Sequence, residues 1–315
     1  MIPVRRVPDK PRTGVGRGLN DHEQEGSTSQ GGHLESRKLL GFSQALSMAR
    51  EGMNQMLHWQ DKPLIGVVHL KPLPGAPRFE GSMNEVCAAA VADARAYEEG
   101  GAQAIMIENF GDLPFGRHSV APETVASMAV AAQSIREAGC QLPLGFNVLR
   151  NDVSSGLGLA ASCEGAFVRV NVHTGAVEAD QGIIQGEAHD TIRKRAGLCP
   201  GVGIWADVLV KHAVPIGDLG IEEAARDTFQ RGLADALIVS GVATGEPTGV
   251  EDLRKVKGAC PDAPLLVGSG ARVSNARDLL EYADGLIVAS SLKLDGILSN
   301  PVDVDRVREL RAIMD

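Results

Sequence analysis

Two turns rich in glycine and serine near the C-terminus carry the residue types that bind phosphate. One turn, Gly268-Ser269-Gly270, follows the apolar run 264–267, and the other, Ser290-Ser291, follows the apolar run 285–288. Glycine lets backbone N–H groups approach an anion closely, and serine adds a hydroxyl donor. We predict that the phosphate-binding residues are Gly268, Ser269, Gly270, Ser290 and Ser291. The alternative is that both segments are ordinary tight turns between a strand and a helix.

Charged side chains at the ends of other apolar runs are candidates for catalysis. Glu108 ends the run 104–107, Asp207 lies in the run that begins at Gly203, and Lys211 follows Val210. Carboxylates in such places exchange protons with a substrate, while a lysine stabilises negative charge or, with a lowered pKa, forms a Schiff base. We predict that the catalytic residues are Glu108, Asp207 and Lys211. The alternative is an ion-pair network in which Arg169 and Lys211 neutralise both carboxylates.

Further polar side chains at the ends of apolar runs are predicted to bind the substrate. They are His69, Asn147, Arg169, Asn171, Ser240 and Thr244. Arg169 suits an anion because a guanidinium group binds oxyanions through two hydrogen bonds. Histidines at 69, 173 and 212 make a divalent metal possible, but none of them has the close spacing of a zinc-binding helix. A bound metal is therefore possible but not favoured, and the sequence predicts no particular cofactor.

These residues can meet at one site only if a regular fold brings them together. Eight short apolar runs predict strands at 64–70, 104–108, 144–148, 166–170, 203–208, 236–239, 265–267 and 285–288. Helical segments such as 84–99 and 122–138 separate them, which favours parallel strands. Eight such units predict an α/β fold, a (β/α)8 TIM barrel over 61–315, whose strands end at one mouth. An open doubly wound sheet is the alternative, disfavoured because no GxGxxG follows the first strand.

The residues before the barrel fall into two predicted parts. Residues 1–38 lack hydrophobic periodicity and are rich in Gly, Ser and charged residues, which predicts a disordered tail or a start-site artefact. Acidic residues among their arginines disfavour a targeting peptide. Residues 39–60 repeat apolar side chains at helical spacing, which predicts an amphipathic N-terminal helix that caps the bottom of the barrel.

Composition limits the classes of partner. A net charge of -9 and an aromatic content of 3% disfavour nucleic-acid binding, which needs clustered positive charge and stacking platforms. No apolar run reaches the 18 or more residues of a bilayer span, so we expect no stable membrane insertion. The five cysteines form no CxxC pair, as is usual in a reducing compartment. We expect a cytoplasmic protein with a small phosphorylated ligand, and a homo-oligomer is possible.

Several motifs in one order resemble the BtpA family, which includes the SgcQ proteins. They are VHLKPLPG from 68, ENFGDLPF from 108, NVLRND from 147, RVNVHTG from 169, DQG from 180, ADVLVKH from 206, TG from 244 and KLDG from 293. The resemblance runs from Leu64 to the C-terminus. It implies a barrel related to phosphate-binding barrels, and the family's cyanobacterial namesake implies a link to photosystem I biogenesis. Relatives commonly have glycine where Ala289 stands, and the resemblance assigns no catalytic residue.

Two functional hypotheses follow. The first is an enzyme that acts on a small phosphorylated metabolite, a sugar phosphate or nucleoside phosphate, by general acid/base chemistry. Isomerisation, aldol-type cleavage by a lyase and glycosidic cleavage all share this need for proton transfer. The second is a non-catalytic assembly factor for a membrane photosynthetic complex, which the family resemblance alone implies.

Overall fold

The computed structural model describes residues 57–241 and 248–314. The predicted tail at 1–38, most of the predicted helix at 39–60, and Thr244 lie outside these ranges. Within them, Trp59–Asp61 form a single 3-10 turn just before the first strand. Leu57 and Trp59 pack into the interior of the barrel, where the ring of Trp59 lies 5.7 Å from that of Trp205. These two side chains therefore cover the end of the barrel at which its strands begin.

The described strands form a closed barrel and a small separate sheet. In chain order they are β1 (Leu64–His69), β2 (Ala104–Glu108), β3 (Leu144–Asn147), β4 (Phe167–Val170), β5 (Ala176–Ala179), β6 (Gly182–Gln185), β7 (Gly203–Asp207), β8 (Ala213–Pro215), β9 (Ala236–Val239), β10 (Leu265–Val267) and β11 (Gly285–Val288). Eight of them close a parallel barrel in the order β1-β11-β10-β9-β7-β4-β3-β2. The predicted (β/α)8 architecture is confirmed, and each predicted strand overlaps an observed one.

Helices follow most barrel strands and cover the outside of the barrel. They are α1 (Met83–Glu99), α2 (Pro122–Glu137), α3 (Val153–Ser162), α4 (Ala188–Leu198), α5 (Ile221–Arg226), α6 (Val250–Ala259), α7 (Ala276–Leu279) and α8 (Val304–Met314). In α1, Ser82 caps the N-terminus, and Val86, Ala90 and Ala94 repeat every four residues on the buried face. Within the described ranges, no helix is long and apolar enough to cross a membrane.

Inward-facing side chains change from apolar to polar along the barrel axis. Phe167 and Trp205 stack inside the barrel with ring centroids 3.6 Å apart, and both are fully buried. Two residues further along their strands come Arg169 and Asp207, on the same inward face because side chains alternate along a strand. The register also places His69 beside Glu108. The C-terminal ends of the strands, here called the mouth, therefore hold the polar groups above an apolar core.

A small antiparallel sheet that the sequence analysis did not predict lies at the mouth. Its strands have the order β6-β5-β8, and they come from the connections after β4 and β7. Its inner face is held by an apolar cluster of Val172, Val177, Ile184 and Val210. We call it the mouth sheet.

Candidate active site at the barrel mouth

Two cavities with shared walls lie at the mouth. The small cavity has a volume of about 40 Å³, and the large cavity has a volume of about 400 Å³. Both are lined by Glu108, Phe110, Arg169 and Lys211, so these four residues stand where the cavities adjoin. The structure therefore brings the residues predicted from β2, β4 and the loop after β7 to one place.

The small cavity is formed largely by the turns that follow β10 and β11. Ser269, Gly270 and Ser290 line it. The Ser269 hydroxyl oxygen accepts a hydrogen bond from the N–H of Gly241 at 3.2 Å, which leaves its hydrogen available as a donor. Gly270 has a φ of +76°, a conformation that glycine adopts without steric strain. Four of the five residues predicted to bind phosphate, Gly268, Ser269, Gly270 and Ser290, thus line this cavity, and phosphate binding itself stays a prediction.

Ser291 lies differently from Ser290. Its hydroxyl donates to the backbone carbonyl of Ala271 at 2.7 Å, and it does not line the small cavity. The bond joins the turn after β11 to the turn after β10. Ser291 therefore supports the wall of the small cavity, whereas Ser290 faces its interior.

Gly268 permits a close approach between its backbone and Arg169. A Cβ atom at this position would lie 3.0 Å from Arg169 Nη2 and 2.5 Å from both Ser240 Oγ and Ile238 Cγ2. These separations are too short for packed atoms, so a larger side chain would displace the guanidinium. Glycine is therefore required here for the position of Arg169.

Asp207 is the centre of a buried hydrogen-bond network. Its carboxylate accepts two hydrogen bonds from Arg169, at 2.8 and 2.9 Å, one from Asn171 at 3.0 Å and one from Ser240 at 3.1 Å. The Asp207 side chain is 0% exposed, and the residue lines neither cavity. Burial alone would lower the pKa of Arg169, but the charge and hydrogen bonds of Asp207 outweigh burial and raise that pKa. Arg169 is thus held as a permanent cation in the wall.

Glu108 lies between the two cavities with one oxygen fixed. Its Oε2 accepts a hydrogen bond from the Asn147 amide at 2.6 Å, and its Oε1 lies 3.6 Å from Nε2 of His69. The His69 ring stacks on Phe110 with centroids 4.3 Å apart. Burial lowers the pKa of His69 to about 4, so its imidazole is neutral at pH 7. Glu108 therefore faces a neutral histidine, and no hydrogen bond from the described residues reaches its Oε1.

Lys211 lines both cavities and is half-buried. Burial lowers its pKa, and the nearby charge of Arg169 adds to this effect. None of the described carboxylates lies close enough to Lys211 to form an ion pair, although Glu108 and Asp207 act on it over a longer distance. Its loop is held by Arg150, whose Nη2 donates to the Lys211 carbonyl at 2.6 Å. Among the residues that the structure describes, the ammonium group of Lys211 therefore has no ion-pair partner, and Lys211 lines both cavities.

Comparison with known proteins shows to which family this chain belongs. The model of the BtpA family matches residues 60–315. The chain belongs to the BtpA family. An uncharacterized protein of Thermococcus kodakarensis is 47% identical over 81% of this chain and 95% of its own length. The photosystem I biogenesis protein BtpA of Synechocystis is 46% identical over 78% of this chain and 85% of its own length.

A solved chain from Aquifex aeolicus shares the fold of this BtpA-family barrel. It has a TM-score of 0.51 at 13% identity and covers 85% of this chain and 99% of that chain. At 13% identity, the similarity between the two chains shows a shared fold alone.

The large cavity is also lined by eight residues that were not among the predicted site residues. They are Phe110, Leu113, Phe115, Leu149, Arg150, Asp180, Gln181 and His212. All eight lie in the motifs that resemble the BtpA family, so these motifs could have indicated them. Asp180 and Gln181 reach the cavity because they form the turn between β5 and β6 of the mouth sheet. Within 57–241 and 248–314, no three His, Cys, Asp or Glu side chains are grouped as metal ligands would be.

Acid is expected to destabilise this BtpA-family barrel through two histidines, His173, which is buried, and His69, which is largely buried. Burial lowers the pKa of both His69 and His173 to about 4, and His173 also binds the Gly232 carbonyl at 2.8 Å. Because the unfolded pKa is near 6.5, the unfolded chain binds more protons between pH 6.5 and 4. Stability is complete above this window and falls as the pH falls through it, by roughly 3 kcal/mol for each imidazole.

Urea unfolding at about pH 7.5 and about pH 5 measures this loss. His173→Gln, which keeps a donor for the Gly232 carbonyl, should reduce the difference between the two pH values. An equal urea midpoint at both values would contradict the account of these histidines.

Proposed function

We propose that this protein is an enzyme that acts on a small phosphorylated metabolite, whose phosphate binds in the small cavity. The observation that supports the proposal is that residues of two kinds line the same small cavity. The glycine and serine turns line the small cavity, and Arg169, Lys211 and Glu108 line the same cavity. In (β/α)8 barrels, the loops after the last two strands commonly bind phosphate through backbone N–H groups. Here those loops are the turns at 268–270 and 289–291.

In this proposal, Glu108 is the general acid and base. It lines both cavities, so it lies between the phosphate position and the rest of the substrate. Asn147 fixes one of its oxygens and leaves the other for proton transfer. Lys211 stabilises negative charge that develops on the substrate, because a positioned cation attracts a developing oxyanion.

We assign Asp207 a positioning role in place of the acid–base role predicted from the sequence. Its four hydrogen bonds occupy both oxygens, and its side chain is not exposed to either cavity. A carboxylate in this state holds Arg169 in place and neutralises part of its charge. The alternative stated for the sequence, an ion pair that neutralises the carboxylate, thus applies to Asp207 and Arg169. Lys211 forms no ion pair with the described residues.

The large cavity suits the carbon skeleton of the metabolite. Its lining includes apolar side chains, Phe110, Leu113, Phe115 and Leu149, as well as polar groups such as Asn171 and Gln181. A substrate bound across both cavities would place atoms near its phosphate beside Glu108. Isomerisation, aldol-type cleavage and glycosidic cleavage each need a proton moved at such an atom.

The binding of glycerol 3-phosphate, measured by isothermal titration calorimetry, tests the proposal. Lys211→Met should weaken binding by about 10 to 150-fold, because a hydrogen bond to a charged group contributes about 1.5–3 kcal/mol. Lys194→Met is the matched control, since Lys194 is exposed on α4, bonds Ser154 and lines neither cavity. No binding by the unaltered protein, or equal affinity in the Lys211 and Lys194 variants, would refute the phosphate assignment.

A second candidate is an assembly factor for a membrane photosynthetic complex, as the name of the Synechocystis relative indicates for that protein. The outer face of the mouth sheet favours it, because Ile183, Val214 and Ile216 are each more than half exposed. Exposed apolar groups on one face are typical of protein contacts. Binding of purified photosystem I that is lost in Val214→Asp would support this candidate, and absence of binding would exclude it.

A further inference from the structure

Arg150 is a buried cation that the protein satisfies only in part. It follows β3, lines the large cavity and does not line the small one. The residue is 6% exposed. Its Nη2 donates to the Lys211 carbonyl at 2.6 Å, whereas its Nε is buried without a hydrogen-bond partner. Among the described residues, the guanidinium therefore has one neutral acceptor, and its buried Nε donor is unsatisfied.

Arg150 differs in this respect from the other buried cations among the described residues. Arg169 pairs with Asp207 at 2.8 Å, Arg195 pairs with Asp235 at 2.5 Å, and Lys293 pairs with Asp93 at 2.5 Å. For Arg150, the carboxylates of Asp207, Asp180 and Glu108 act only through longer-range charge, and none is within ion-pairing distance. Arg150 is thus the exception among four buried cations in the described ranges.

A buried charge without a partner is unfavourable, because desolvation is not offset by an ion pair. Burial lowers the pKa of Arg150, and the attraction of Asp207 opposes this shift. A guanidinium nevertheless stays protonated in proteins. Since Arg150 lines a cavity of about 400 Å³, an anionic group of a ligand can supply the missing partner.

We propose that Arg150 binds a carboxylate of the substrate, so that the enzyme acts on a phosphorylated carboxylic acid. The inference rests on the proposed function, because it takes the phosphate in the small cavity as the first anionic group. Guanidinium groups bind carboxylates with two parallel hydrogen bonds. The protein carboxylates that line the same cavity do not fill this place, since Glu108 is bound by Asn147 and Asp180 is exposed.

Two matched pairs of ligands test the assignment by calorimetry. 3-Phosphoglycerate is compared with glycerol 3-phosphate, and 6-phosphogluconate is compared with glucitol 6-phosphate. Within each pair, the acid carries a carboxylate where the other compound carries a hydroxymethyl group, and the two pairs cover two chain lengths. We expect at least one acid to bind about 10 to 150-fold more tightly than its partner, as a charge-assisted hydrogen bond provides.

Two substitutions assign this preference to Arg150. Arg150→Met should remove the preference for the acid, and Arg150→Lys, which keeps the charge, should retain part of it. Arg95→Met is the matched control, because Arg95 is exposed on α1. Tight binding of both phosphorylated alcohols with no preference for either acid would overturn the inference and leave the proposed function standing. Failure of all four compounds to bind would overturn both.

Discussion

Replacing Asp207 with alanine is expected to lower the free energy of unfolding by about 3–5 kcal/mol, the usual effect of removing one partner of a buried ion pair. The substitution leaves the Arg169 guanidinium, whose side chain is 4% exposed, without its carboxylate. It also removes the acceptor of hydrogen bonds from Asn171 and Ser240. Urea unfolding at neutral pH measures the change.

Two further variants separate the ion pair from other effects of the substitution. Asp227→Ala breaks an exposed pair with Arg231 and should change the stability by less than about 1 kcal/mol. The double variant Arg169→Met/Asp207→Ala should be more stable than Asp207→Ala alone, because no unpaired charge is left buried. If Asp207→Ala is as stable as Asp227→Ala, the network does not contribute as we describe.

Replacing Glu108 with glutamine should slow proton transfer to a bound phosphorylated substrate by about 10²–10⁴-fold, the usual contribution of a general acid or base. Glutamine keeps the size of the side chain and an acceptor for Asn147, but it cannot take up a proton. The reaction to measure is the exchange of carbon-bound hydrogen in phosphorylated sugars for deuterium from D₂O, followed by proton NMR. Exchange reports proton abstraction even where no net product accumulates.

Glu178→Gln is the matched control for this experiment. Glu178 is an exposed carboxylate of β5 that lines neither cavity, so its substitution should not change the exchange rate. Binding of glycerol 3-phosphate to Glu108→Gln shows whether the variant keeps its site. Exchange at the unaltered rate in a Glu108→Gln protein that still binds the ligand would exclude Glu108 as the base.

The barrel could be predicted from the sequence because its strands carry strong local signals. Runs such as 104–107 and 285–288 are continuous and apolar, as expected of strands that are covered on both faces. Their C-terminal ends then follow from the fold, which is why His69, Glu108 and Asn147 could be expected at one mouth. The turns after β10 and β11 could be located for the same reason.

The mouth sheet and the partners of the charged groups could not be predicted in this way. β5, β6 and β8 have three or four residues each, and long-range contacts with Val172 and Val210 hold their sheet in place. Whether Asp207 acts on a substrate or binds Arg169 depends on side-chain distances between β4 and β7, which no spacing along the chain reveals. The same holds for the direction of the Ser291 hydroxyl and for the absence of an ion-pair partner for Arg150 among the described residues.

The crystal structure of the protein with glycerol 3-phosphate would test the central claim most directly. The account predicts the phosphate in the small cavity, within hydrogen-bond distance of the turns at 268–270 and 289–291 and beside Lys211. A phosphate bound elsewhere, or a small cavity that stays free of phosphate in crystals saturated with the ligand, would contradict it.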